Sequence, residues 1–126
     1  NSTYWLPTFN ENLLSTFDLN VKINKDWSIV SQGDRIKNEM QNDTKNIIYH
    51  SPEPMDEIYL IGAKWAEYSK KSGNVEVQAF LRTPDQGLAD RYLNITSGYL
   101  QMYNALIGDY PYTKFALVEN FWETGY

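Results

Sequence analysis

His50 is the sole histidine and the chain has no cysteine, so few residues could do metal or nucleophilic chemistry. A catalytic zinc ion usually takes three protein ligands, histidines and carboxylates. One imidazole beside Ser51-Pro52 reads instead as a loop residue. With neither a second histidine nor a thiol, none of the common triads is drawn. Glycine-rich phosphate loops are absent too, which leaves nucleotide chemistry without support. Carboxylates are plentiful, at 16, but few keep suggestive company. Asp85 reads as a favourable charge in the first turn of a helix. Glu119 and Glu123 flank a final strand and could do acid/base work; the plainer reading is a pair of solvated charges at a strand end.

Aromatic side chains are the other chemical resource. Clustered on an exposed face they could stack on sugars or peptides. Tyr92, Tyr99 and Tyr103 recur in helical period and read as core, whereas Trp122 and Tyr126 follow no clear period and stay open as binding groups.

These residues sit on a chain of 126 residues, 42% hydrophobic and 15% aromatic, enough to build a packed core. Net charge is −5, and no basic cluster exceeds Lys70-Lys71, so a phosphate backbone would be repelled and nucleic acid is not an expected partner. No apolar run approaches the roughly 18–20 residues of a membrane span. The lack of cysteine leaves the compartment undecided.

The positioning elements follow from period and punctuation. Residues 16–24 alternate, with Phe17, Leu19, Val21 and Ile23 on one face of a half-buried strand. Residues 27–31 form a second strand after a turn at Lys25-Asp26, and the polar stretch 35–45 reads as a hairpin arm or exposed loop. Ile47-Ile48-Tyr49 is a short apolar run before Pro52 and Pro54, which fix an extended bend. Residues 57–82 read as one hairpin turning at Gly73-Asn74, its continuous apolar start implying burial on both faces. The period then changes from two to 3.6. Thr83 is the expected N-cap, with Pro84 at the first helical position and Gln86 completing a capping box. A helix of about 24 residues ends at Gly108, and residues 115–118 form a last strand. The fold class is therefore α+β: an antiparallel β-rich N-terminal part, one long helix and a final strand. The helical stripe is wide enough to invite self-association if nothing covers it.

The order of these parts resembles the zinc aminopeptidases related to aminopeptidase N, which share a thermolysin-like (gluzincin) catalytic fold. The resemblance is carried by Ser51-Pro52-Glu53-Pro54-Met55, by Tyr59-Leu60-Ile61-Gly62, and by the phrase Ile107-Gly108-Asp109-Tyr110-Pro111-Tyr112-Thr113-Lys114-Phe115-Ala116-Leu117-Val118. It implies that residues 1–82 are the latter part of a β-rich domain and residues 83–126 the first helix and strand of a metallopeptidase domain. It also implies that the chain is a piece of a larger enzyme, whose remaining catalytic domain is its partner, whose substrate is a peptide and whose cofactor is zinc. The family's H-E-x-x-H motif does not occur, so no catalytic residue and no metal ligand carries over to this chain. Glu119-Asn120 imitates the end of the family's G-x-M-E-N substrate loop but follows Leu117-Val118 too directly. Glu119, Asn120, Trp122 and Tyr126 are accordingly candidates for the wall of a substrate cleft. The rival expectation is a stand-alone α+β module that binds a peptide, sugar or protein through an aromatic face.

Overall fold

The computed structural model describes residues 14–55 and 58–120. Alternation in β1 (Ser15–Asn24) does what its pattern requires. Leu19, Val21 and Ile23 pack on a buried cluster of Ile29, Ile47 and Tyr49, while the residues between them face water. β1 pairs antiparallel with β4 (Thr44–Met55), which pairs with β3 (Asp34–Gln41) on its other side, giving the order β1-β4-β3. Asn42, at φ 56°, turns β3 into β4, a conformation asparagine tolerates better than most residues. The polar stretch 35–45, expected as a hairpin arm or exposed loop, is the arm: most of β3, the turn and the first residues of β4, with mostly exposed side chains.

The double-proline segment departs from the expected bend. Ile47-Ile48-Tyr49 is the middle of a 12-residue strand that runs on through Pro52 and Pro54 to Met55. Proline is tolerated there because β3 stops pairing at His50, so beyond that point β4 has only β1 beside it. A register shift between Ser15 and Phe17 absorbs the irregularity. Where β3 begins, Gly33 at φ 79° passes so close to β4 that a Cβ would lie 2.3 Å from the His50 carbonyl oxygen.

β2 (Ser28–Ser31) buries both faces, whereas the apolar run after residue 57 does not. Ile29 joins the cluster under β1 and β4, whereas Val30 joins a second cluster with Ala63, Trp65 and Phe80. The expected hairpin over 57–82 is broken at Lys64-Trp65. Its first part, β5 (Leu60–Ala63), pairs with β2 as a separate two-stranded sheet, and Tyr59 just before it is 57% exposed. A two-stranded ribbon has no second layer over its outer face, so an apolar run there need not be buried. Only β6 (Ala66–Ser72) and β7 (Val75–Leu81) form the hairpin, turning at Gly73 with φ 62°.

From β7 the chain crosses through α1 (Gln86–Leu106) to β8 (Lys114–Val118), which pairs parallel to β7 and completes the order β6-β7-β8. Such a parallel return needs a long crossover, here the helix. The N-cap is Asp85 rather than Thr83: its carboxylate accepts from Leu88 N at 2.9 Å, satisfying a backbone donor that has no helical partner. The helix has 21 residues, somewhat shorter than expected, and stops before Gly108, whose φ is 131°. It rests on β7 through Leu93 and Leu100, which meet Val75, Val77 and Ala79. Tyr92 (42% exposed) and Tyr99 (63%) are not core, contrary to the periodic reading, and Tyr103 is half-buried. The contact face is instead narrow, made of Ala89, Leu93, Thr96, Ser97 and Leu100. Tyr92 and Tyr99, with Ile95, Met102 and Leu106, are exposed on the other side of the helix, while Tyr103 packs edge-on against Tyr110 at 5.8 Å.

Candidate functional site

Of the cleft candidates nominated from sequence, Glu119 and Asn120 directly follow β8. Glu119 leaves the end of β8 with its N–H donating to the Phe80 carbonyl at 2.9 Å, and its carboxylate accepts from Arg82 N at 2.7 Å. That carboxylate closes the β7–β8 pair. Asn120 is exposed beside it, while Trp122, Tyr126 and Glu123 lie outside the described residues. His50 is on β4, its Nδ1 2.6 Å from Asp18 Oδ1 on the surface of the first sheet. It is a strand residue and not the loop residue expected.

The concentration of chemistry is at the opposite end of β8, around Lys114. Cross-strand partners share a sheet face, so the register puts Lys71, Glu76 and Lys114 in one row across β6, β7 and β8. Gln78 and then Phe80 follow Glu76 on the same face of β7, which grades from charged to apolar. The helix covers the other face, and this one turns toward the first two sheets.

Lys114 ties the three sheets together. Its Nζ donates to the Ser31 carbonyl of β2 at 2.6 Å and stands 4.7 Å from the ring centre of Tyr49 in β4. Burial pushes its pKa down to about 8; Arg35 acts in the same direction, and the carboxylates of Asp34 and Glu76 oppose it. Tyr49 is wholly buried, donates its hydroxyl to the Ile29 carbonyl at 2.9 Å, and has its pKa raised to about 12 by that burial. Beside it the Thr113 hydroxyl donates to Asp34, and Arg35 pairs with Glu67 across β3 and β6.

Two cavities open on this junction and share Asp34, Thr113 and Lys114. One, of about 310 Å³, has a polar wall that includes Lys71, Asn74, Glu76 and Gln78. The other, of about 300 Å³, has Pro52, Met55, Pro111 and Tyr112 in its wall together with Gln32, Ser51 and Glu53. Sequence reasoning passed over Lys114 because its partners lie far away in the chain; Ser31 is 83 residues distant. The available signal was a lysine opening a short apolar strand, where an ammonium must find a partner or shift its pKa. Among the described residues no three histidine, cysteine, aspartate or glutamate side chains are grouped to hold a metal ion. The junction around Lys114 offers hydrogen bonding and charge.

No protein-family model matches the chain, and no curated protein matches it significantly. Solved structures do match in fold. A two-domain M1 zinc metallopeptidase mutant bound to L-arginine aligns with a TM-score of 0.60 at 15% identity, over 82% of this chain and 26% of its own. The M1 zinc metallopeptidase from Deinococcus radiodurans aligns at 0.57 and 16% identity over the same shares. A mutant of it bound to a Tyr-Ser-Ala substrate aligns at 0.60 and 15%. The chain thus spans about a quarter (26%) of the length of these structures. Over most of its residues it has the fold of a segment of the M1 zinc metallopeptidases.

Proposed function

We propose that the chain is the junction segment of a zinc metallopeptidase of this kind, and that the whole protein hydrolyses peptide bonds. Residues 1–82 would close its β-rich domain, and residues 83–126 would supply the first helix and strand of its metallopeptidase domain. The observation that carries this reading is the fold likeness over 82% of the chain. The phrase from Tyr110 to Val118, which leads into β8, supports it from the sequence side. On this reading the β6–β7 hairpin is an arm of the β-rich part that lends two strands to the sheet holding β8.

The zinc ion and the groups that activate water then belong to the remainder of the enzyme, which is the partner of this segment. Its natural seat is the uncovered side of α1, where Tyr92, Ile95, Tyr99, Met102 and Leu106 are exposed. Glu119, Asn120, Trp122 and Tyr126 would form part of the wall of the peptide cleft. Because its carboxylate is held by the Arg82 amide, Glu119 would act there by fixing the strand end. The test is to extend the reading frame beyond Tyr126 and measure zinc content and aminopeptidase activity of both products. Zinc and hydrolysis should appear only in the longer one. An extension without an H-E-x-x-H segment, or zinc-dependent hydrolysis by the 126 residues alone, overturns the proposal.

A second reading, a stand-alone binding module, is favoured by the exposed rings of Tyr59, Tyr92, Tyr99 and Tyr112. Light scattering separates the two: a monodisperse monomer with a single cooperative melt supports the module. Association that is lost when Ile95 and Tyr99 are replaced by lysine supports a segment with an uncovered partner face.

A further inference from the structure

Three Asn-x-Ser/Thr triplets occur in the chain: Asn1-Ser2-Thr3, Asn42-Asp43-Thr44 and Asn94-Ile95-Thr96. The pattern is the acceptor signal for N-linked glycosylation, and it works only where the amide and the hydroxyl two residues on reach an enzyme together. The first triplet lies outside the described residues. The fold treats the other two in opposite ways. Asn94 and Thr96 belong to α1. Thr96 is only 7% exposed, and Asn94 Oδ1 accepts from Lys70 Nζ at 2.7 Å. Helical residues two apart point about 200° apart around the axis, so one enzyme takes both groups only by unwinding the helix.

Asn42 forms with Asp43 the two-residue turn between β3 and β4, closed by the pair Gln41 and Thr44. Asn42, Asp43 and Thr44 are all exposed. Thr44 is flanked in the sheet by Asn24 and Gln41, both exposed and uncharged, which leaves its hydroxyl in a neutral rim open to water. The turn is held from behind, where Lys25 N donates to the Asp43 carbonyl at 2.9 Å and Lys25 Nζ stands 3.0 Å from the Asp43 carboxylate. Sugar donors for this reaction carry a pyrophosphate, which a lone carboxylate inside the triplet would repel. The Lys25 ammonium partly offsets that charge.

We propose that Asn42, at the tip of the β3–β4 hairpin, is an acceptor site for an N-linked sugar, and that Asn94 in the folded chain is not. The Asn42 amide nitrogen forms a bond to the anomeric carbon of the donor sugar. The bond from that carbon to the pyrophosphate oxygen breaks, the pyrophosphate-bearing carrier leaves with the bonding electrons, and the amide loses one proton. The carrier is either a nucleoside or a lipid. This site is independent of the peptidase reading.

The test incubates the folded 126-residue chain in two arms, followed by peptide mapping by mass spectrometry. One arm supplies UDP-glucose and a soluble N-glycosyltransferase; the other supplies a lipid-linked oligosaccharide and an oligosaccharyltransferase. Sugar should appear on Asn42 in at least one arm, which identifies the carrier. It should appear at least about tenfold faster than on Asn94, whose triplet is presented only when α1 opens. Asn42→Asp removes the amide while keeping a residue type that accepts the φ of 56°. Thr44→Ala, at an exposed position, removes the hydroxyl. Each variant should keep the parent circular dichroism spectrum and lose the modification at position 42. The proposal is overturned if Asn42 stays unmodified in both arms, if Asn94 is modified as fast as Asn42, or if Thr44→Ala is modified as readily as the parent chain.

Discussion

The Lys114 ammonium donates to the Ser31 carbonyl across 2.6 Å, joining β8 to β2 although the two residues are 83 positions apart. Ser31 is buried, so its oxygen has little access to water when that donor is lost. Lys114→Met should therefore lower stability by about 1–2 kcal/mol in urea titrations, the cost of an unmatched buried acceptor offset in part by a side chain that is easier to bury. A variant more stable than the parent chain would show that desolvation of the ammonium outweighs its hydrogen bond.

The same lysine sets a dependence on pH. Its folded-state pKa of about 8 is below the usual 10.5, so between those values the unfolded chain binds more protons and stability rises with pH. Tyr49 has the opposite sign: raised from 10.0 to about 12, it stabilises fully below pH 10 and loses that contribution as pH climbs toward 12. Tyr110, also raised by burial, adds to the fall. Chemical denaturation at several pH values should show stability climbing above pH 8 and declining beyond pH 10. Lys114→Met should flatten the rise, and Tyr49→Phe should reduce the fall.

Asp85→Ala should cost about 1 kcal/mol, the usual worth of an N-cap carboxylate that meets a backbone N–H. Thr83→Ala should change stability by less than about 0.5 kcal/mol, in line with a surface position outside the cap. Thermal melts of the two variants decide which residue starts the helix.

Two glycines should respond in opposite directions to alanine. Gly33→Ala should destabilise by at least about 2 kcal/mol, because its φ is 79° and the added methyl would strike the His50 carbonyl at 2.3 Å. Gly98 lies in the interior of α1, where a Cβ would meet nothing within 4 Å. Gly98→Ala should therefore stabilise by about 0.5–1 kcal/mol through a more restricted unfolded chain. Melting temperatures should move down for the first and up for the second.

Local physics in the sequence reaches a definite distance into this structure. Alternation located β1, the shift to a 3.6 period located α1, and Gly108 marked its end, because each of those signals is written within a few neighbouring residues. It misplaced what neighbours cannot decide. Asp85 and Thr83 are both good capping types, and only the path of the chain selects between them. The apolar run after residue 57 looked doubly buried, yet which layer covers a strand is a property of the assembled sheets. Tyr92 and Tyr99 kept helical period without being covered, since a three-stranded sheet supports only a narrow stripe. The junction around Lys114 was the least legible part: Ser31, Tyr49 and Glu76 meet it only after three sheets have formed.

β8 has five residues, joins its sheet through β7 alone, and must wait for the whole of α1 to bring it back alongside. Pairing of that sort closes late in folding, because the loop entropy comes before the contacts that reward it. Its amides should be among the first backbone groups of the sheet to exchange with deuterium under native conditions. Each such opening would carry Lys114 away from Ser31 and release the junction as a unit, making the shortest strand of that sheet the one whose fluctuation sets the lifetime of the assembled whole.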